Sequence, residues 1–456
     1  MPDRHVNERL RFAVERQLTG DASDERYLVR LEVPVPEVDL FAWLQAQAPG
    51  ARMMWRGRHA DDLVAMSGAA MCVEGAAPGI SAAAASMEDI LNRPGAEPRF
   101  YGGVRFDLSP DAAGDWFGFP SYRFILPRFE LHRRGARTLL CCNLVLPEDA
   151  DDREAILEDV DRLEFPARSI NGRIERPVRR HDNPGFDGWK AQVRWSLDAF
   201  ERDVLEKVVL ARRVDLAFDS DPDPLLLFRD LQNATPHCFH YLFESEGGTV
   251  FMGATPERLF FRRGREVFSE AVAGTRPRGA SADDDEAYRA SLLASEKDQR
   301  EHRFVRDSIR DVLAQLCESV NVDEVASEMR LSSGRHLYSR LSGTLRSDVT
   351  DLDLLLNLHP TPAVGGHPTL DAVDAIRSLE DFDRGWYAGP IGWLGRDSAE
   401  FAVALRCGVL DGSVLSLFSG AGLVQGSECG AEWLEIEQKI TDFTKVLGLA
   451  VQRTKS

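Results

Sequence analysis

The sequence predicts an α+β fold built on a large antiparallel sheet. Two patterns lead there. From Tyr27 to Leu146, short strand-like runs alternate with glycine-rich turns, and from Lys207 onward further strands are set apart by widely spaced helices. The composition is that of an ordinary globular chain, with 43% hydrophobic and 28% charged residues among 456, ample for a large core. Length alone would suggest two or three domains.

The elements follow in order. Tyr27–Val33 partly alternates polar and apolar residues, as a half-buried strand does, and Thr138–Leu144 is a second such run. Ser81–Met87, just after the turn signal Pro78-Gly79, predicts a helix. Asp149 to Arg180 is charged, with one helix followed by a basic arm. Trp189 to Leu205 has the spacing of an amphipathic helix, and Lys207–Leu216 that of a strand. Val250–Ala254 is a strand ending in the corner Thr255-Pro256-Glu257-Arg258. Glu266–Glu270 is strand-like, and Ala273–Gly279 is expected to be a glycine-bounded loop. One long acidic helix is expected from about Asp284 to Leu316, then an apolar helix near Leu352–Leu358 and a proline-stiffened loop over His359–Pro368. Three strands close the pattern, Ala388–Gly395, Glu400–Leu410 and Val414–Phe418, the last running into Ser419-Gly420-Ala421-Gly422 and a C-terminal helix.

The formal net charge of −19 argues against nucleic acid or an anionic membrane as the main partner, since either needs a basic face. Seven cysteines, an odd number without a Cys-x-x-Cys, argue against a disulfide framework or structural zinc and for reduced thiols in the cytoplasm. The N-terminus carries no signal-like apolar run, and no stretch approaches the ~20 apolar residues of a membrane span.

Two acidic clusters stand out. Asp298 and Glu301 lie three apart on one predicted helix, and Glu432 and Glu435 lie three apart on another, so each pair shares a face. Glu301 is in register with Val305, Ile309, Val312 and Leu316, the apolar stripe that should face inward. An inward carboxylate is costly unless a cation or hydrogen bonds compensate it. The bland alternative is surface ion pairing with Lys297, Arg300 or Arg303, and for Glu435 one exposed i, i+4 pair with Lys439. The functional alternative is a shared divalent ion, for which two converging carboxylates suit Mg²⁺.

Lys207, one of only six lysines, begins an apolar strand. It is either a solvent-facing strand start or a desolvated amine able to act as a base. Glu257 is either a surface turn residue paired with Arg258 or a general acid raised by a dry site. Arg406 is either a surface ion pair or a bidentate clamp for a carboxylate. Gly420-Ala421-Gly422 is either a plain bend or a place where backbone N–H groups approach an anion. His302, His336 and His359 lack metal-ligand spacing and are assigned to packing or supporting roles.

Taken together, several runs resemble the chorismate-utilising enzymes: Lys207–Arg212, Gly253–Glu257, Glu270–Thr275, Ser295–His302, Trp386–Gly389, Ala404–Arg406, Gly420–Gly422 and Glu432-Trp433-Leu434-Glu435-Ile436 with Lys439. The match holds in order and spacing over about Trp189 to Leu449. It is looser through Trp55-Arg56-Gly57-Arg58 and Tyr101–Asp107. The resemblance implies an α/β sandwich around a large antiparallel sheet and a single large domain. In that domain, residues 1–186 form the loosely matched part and residues 187–456 the chorismate-binding part. Members of this family that add ammonia typically carry glutamine where Lys207 stands, whereas those that add water carry lysine. The resemblance therefore implies isochorismate synthase, most like the menaquinone-pathway type, with no glutaminase subunit. It further implies Lys207 as the base, Glu257 as the acid, and Mg²⁺ held by Glu301 and Glu435 with Asp298 and Glu432 in or near its shell. The pyruvyl carboxylate would meet Arg406, Tyr387, Lys439 and the amides of Gly420, Ala421 and Gly422. Gly274 and Thr275 would meet the ring region, and His336 would lie near the leaving side chain. Salicylate synthase and a non-catalytic chorismate-binding regulatory protein are the alternatives. The chain is expected to be a monomer or weak homodimer, feeding menaquinone or siderophore biosynthesis.

Overall fold

The computed structural model describes residues 3–449 apart from 20–25, 59–61, 94–96, 110–115, 136, 280 and 331–333. Among these residues, 20 strands join one hydrogen-bonded network. Every pairing in it is antiparallel. The sheet branches at Tyr122–Arg134, which pairs with Asp62–Gly75 along one edge and with both Arg99–Val104 and Arg137–Leu146 along the other. One limb runs through Met53–Arg56, Phe239–Glu244, Val250–Thr255, Cys407–Asp411 and Val414–Val424 to Lys207–Ala217. The other runs through Pro390–Gly395, Ser398–Val403, Arg258–Arg263 and Glu266–Pro277 to Gly334–Leu345.

Two apolar clusters fill the structure. One gathers aromatic rings between the limbs, among them Trp116, Phe119, Phe251, Trp386 and Phe401. The other lies under the helices Asp3–Leu18, Leu40–Ala46, Arg153–Arg162 and Pro224–Ala234. This is the predicted α+β sandwich. The two or three domains suggested by length are replaced by one, because strands from residues 1–186 pair directly with strands from residues 187–456. No helix among the described residues is long and apolar enough to cross a membrane.

Several element boundaries differ from the sequence expectation. The acidic helix is two, Ala282–Ala294 and Glu296–Leu316, broken at Ser295, whose hydroxyl accepts from the Asp298 amide and caps the second helix. Asp149 to Arg180 holds two short helices, Glu148–Asp151 and Arg153–Arg162. The expected loop at Ala273–Gly279 is instead mostly strand, since Glu266–Pro277 continues to it with a register shift between Ala273 and Arg276. Glu400–Leu410 is two strands, Ser398–Val403 and Cys407–Asp411, separated where Arg406 adopts φ 46°. Gly420-Ala421-Gly422 is no bend, because Val414–Val424 runs straight through it.

Candidate active site

Lys207 opens its strand with its side chain fully buried (0% exposed), not facing solvent. The Nζ donates to Glu301 Oε1 at 3.0 Å, so the first carboxylate helix is bound to this strand by an ion pair. Glu301 lines a cavity with Glu257, Gly274, Thr275, His336, Tyr387, Arg406, Gly420, Gly422, Glu435 and Lys439. The fold thus gathers around one small space groups as far apart in the chain as Glu257 and Lys439, while Lys207 is not among the lining residues and reaches the cavity wall through Glu301.

Glu257 is buried in the corner after Pro256. The surface-turn alternative fails, because Arg258 pairs with Glu270 and Glu400 and not with Glu257. Burial raises the Glu257 carboxyl to about 7; Lys207 and Lys439 oppose the rise and Glu270 adds to it. A carboxyl in that state can donate a proton at neutral pH.

Glu435 and Lys439 do form the expected i, i+4 pair, at 2.8 Å, but at the cavity and not on open surface. Lys439 also donates to the Gly420 carbonyl at 2.8 Å. Burial opposes the charge on Lys439, yet Glu435, Glu301 and Glu432 outweigh it and raise its pKa. Glu435 is held below the usual carboxylate range: burial pushes upward, and Lys439 and Lys297 more than compensate.

The other two acidic candidates are engaged outside the cavity lining. Asp298 accepts from Arg276 at 2.6 Å, and Glu432 from Lys297 at 2.9 Å. Burial and the neighbouring Glu435 raise the Glu432 carboxyl, with Lys297 opposing. Lys297 in turn feels Glu432, Glu301 and Glu435. A cation therefore already occupies Glu432. Among the described residues no three acidic, histidine or cysteine side chains close into a cage of their own. Two protein carboxylates beside an open cavity are nevertheless the donor set Mg²⁺ takes when substrate and water supply its remaining oxygens.

Three glycines of this wall leave no room for a side chain, among them Gly420, where a Cβ would meet the Leu210 carbonyl at 2.9 Å. Gly274 has φ +65°, and a Cβ there would stand 3.0 Å from Asp298. A Cβ at Gly422 would meet Glu301 Oε1 at 2.8 Å and Lys207 Cε at 3.0 Å. Ala421, between the two cavity glycines, belongs to the buried apolar cluster instead of the lining.

Arg406 lies between Asp442 and His336, each at 3.4 Å, and its left-handed backbone aims the guanidinium out of the strand direction. His336 has its Nδ1 at 3.0 Å from the Gly274 carbonyl and 3.2 Å from Thr275 Oγ1. Burial and Arg406 lower it to about 3, which leaves it neutral. Donation from Nδ1 to Gly274 then leaves Nε2 to accept from Arg406. The Tyr387 ring stacks on Phe418 at 5.3 Å, and burial raises its phenol, which stays protonated. His302 packs against the Ala271 carbonyl and His359 against the Phe106 carbonyl, both lowered by burial to about 4, as expected of supporting residues.

Sequence reasoning passed over Val209, Val272, Leu405, Phe418 and Ser419, which also line the cavity. Their only signal was adjacency to the motifs, since an apolar strand residue does not announce which face it serves.

The cavity brings together a raised carboxyl, an amine and a guanidinium, those of Glu257, Lys439 and Arg406. Residues 13–448 match the family described as chorismate binding enzyme, and the chain belongs to that family. Isochorismate synthase 2, chloroplastic, of Arabidopsis thaliana is 35% identical over 359 residues, covering 76% of this chain and 64% of that protein. The chain thus spans just under two thirds of that relative's length. Isochorismate synthase MenF of Bacillus subtilis is 32% identical over 364 residues, covering 79% of this chain and 77% of the relative. The solved structure of MenF, the menaquinone-specific isochorismate synthase from Escherichia coli, superimposes with a TM-score of 0.84 at 26% identity, covering 98% of this chain and all of that one.

Proposed function

We propose that this chain is an isochorismate synthase. The observation that carries the reading is that Glu257, raised to about 7, shares its cavity with Glu301, the partner of the buried Lys207. With its ammonium proton passed to solvent and its bond to Glu301 released, the neutral Lys207 amine takes a proton from a water that attacks ring C2 of chorismate. Glu257 gives its proton to the hydroxyl leaving from C4, and the ring double bonds shift. One water enters and one leaves, so the product is an isomer. Arg406, Lys439 and the Tyr387 phenol hold the pyruvyl carboxylate, which places the ring against Gly274 and Thr275. Glu301 and Glu435 are the residues that would hold Mg²⁺, with Asp298 and Glu432 behind them. The ion, when bound, offsets the charge of the ring carboxylate and orients it. The lysine at 207 favours water over ammonia as nucleophile, so no glutaminase partner is required. The likeness to the menaquinone-specific enzyme favours a cytoplasmic role on the menaquinone side.

Product identification from chorismate, with and without Mg²⁺, tests this. Isochorismate formed only with the ion is the expected outcome. Salicylate and pyruvate would assign the chain to salicylate synthesis, and tight calorimetric binding of chorismate without product would assign it a regulatory role.

A further inference from the structure

We infer that Arg58, supplied by the N-terminal part of the chain, is a positioning residue for Glu257. The inference rests on the reading of Glu257 as the acid. Arg58 is buried, and its Nη1 donates to the Pro256 carbonyl, the peptide directly before Glu257, at 2.7 Å. The same guanidinium grips Glu270 with two bonds, at 2.7 and 2.5 Å. Glu270 also accepts from Arg258, the residue directly after Glu257, at 2.9 Å. Both flanks of the acid are therefore tied to one buried carboxylate, on the near side through Arg58 and on the far side through Arg258. The second arm of Arg258 reaches Glu400 at 2.9 Å, and both guanidiniums lie 5.4 Å from the Phe239 ring. The amide of Val403 completes the clamp by donating to the carbonyl of Glu257 itself at 3.0 Å.

The cluster does not line the catalytic cavity, so Arg58 acts through Glu257 and touches no substrate. Two guanidiniums and two carboxylates leave it neutral overall, and it backs Glu257 without imposing a net charge. Of its members only Glu270 acts on the charge of Glu257, adding to the rise that burial causes while Lys207 and Lys439 oppose it. Glu270 belongs to the strand that continues into Gly274 and Thr275, so one carboxylate ties the acid to the wall meant for the ring. A proton donor displaced by a fraction of an ångström loses much of its rate advantage, which is what such a clamp prevents. Arg58 and Glu270 each stood within a motif of the sequence whose purpose the cavity residues left unexplained.

The test compares R58K, E270Q and E257Q as purified full-length proteins turning over chorismate with Mg²⁺. R58K keeps the charge but cannot make the three-bond fork; its kcat is expected to fall about tenfold or more while KM stays within about twofold. E270Q removes a negative neighbour, so the Glu257 proton is lost more readily and the alkaline limb of kcat/KM moves to lower pH. A merely structural role predicts a lower melting temperature with kcat per folded molecule and the alkaline limb unchanged, and that result overturns the inference. Should R58K fail to fold, the kcat of E270Q decides: a fall of about tenfold or more with KM within about twofold supports the clamp that Glu270 anchors, and wild-type kcat overturns it. Inactive E257Q beside unaltered R58K and E270Q rejects the positioning role only. Full turnover by E257Q rejects the acid itself, and the inference with it.

Discussion

Lys207 and Glu257 face opposite electrostatic demands. The amine is buried yet held by Glu301 at 3.0 Å, and the carboxyl is buried without a comparable cation partner among the described residues. The Lys207→Ala variant should lose turnover by a factor on the order of 100 to 10,000, the usual worth of a positioned base, with chorismate still bound in calorimetry. Wild-type turnover in that variant removes the base. The sign for Glu257 follows from its raised pKa of about 7: the proton is present below that pH and lost above it, so kcat/KM should fall as pH rises through about 7. A profile flat from pH 6 to 9 contradicts the acid role. The types of these residues were legible in the chain, as a lysine opening an apolar strand and a glutamate at a proline corner. Their burial was not, since a solvent-facing lysine and a surface turn were equally consistent with the same letters.

Elements deliver these side chains. The strand Val414–Val424 pairs with Lys207–Ala217, and only a hydrogen at position 422 leaves room for Glu301 and Lys207. Gly422→Ala should therefore reduce kcat by at least about tenfold through displaced groups. The melting temperature should change little, because the residue sits in ordinary strand geometry. Normal kinetics in this variant would mean that the two side chains have slack. Ser295 separates the two acidic helices and caps the second, so Ser295→Ala should cost about 1 kcal/mol in urea unfolding. The periodicity showed the inward stripe of Glu301 correctly, with Val305 and Ile309 buried as expected. The periodicity did not show the break, because a serine inside an acidic run satisfies helical spacing equally well until its hydroxyl is seen to cap. The span Glu400–Leu410 around Arg406 was misread for a related reason. Its apolar neighbours suggest an unbroken strand, and only the left-handed backbone at that residue reveals the interruption.

At the scale of the molecule the two parts of the chain are one sheet. Met53–Arg56 pairs with Phe239–Glu244, and Arg99–Val104 pairs with Pro390–Gly395. Arg179–Asn183 pairs likewise with Lys207–Ala217, so a fragment of residues 187–456 should expose three unpaired strand edges and fail to fold, as judged by circular dichroism and solubility. A soluble fragment with a cooperative melt would show that the catalytic part stands alone. The sequence by itself determined the fold class, the family and the chemical types at the cavity, because periodicity, turn residues and motif spacing are local and survive without coordinates. Only the tertiary structure decided which carboxylates face the cavity, that Asp298 turns to Arg276, and that Arg58 reaches the flank of Glu257. Those outcomes depend on which buried charges find partners across strands distant in the chain, and the low dielectric of the interior makes that pairing decisive.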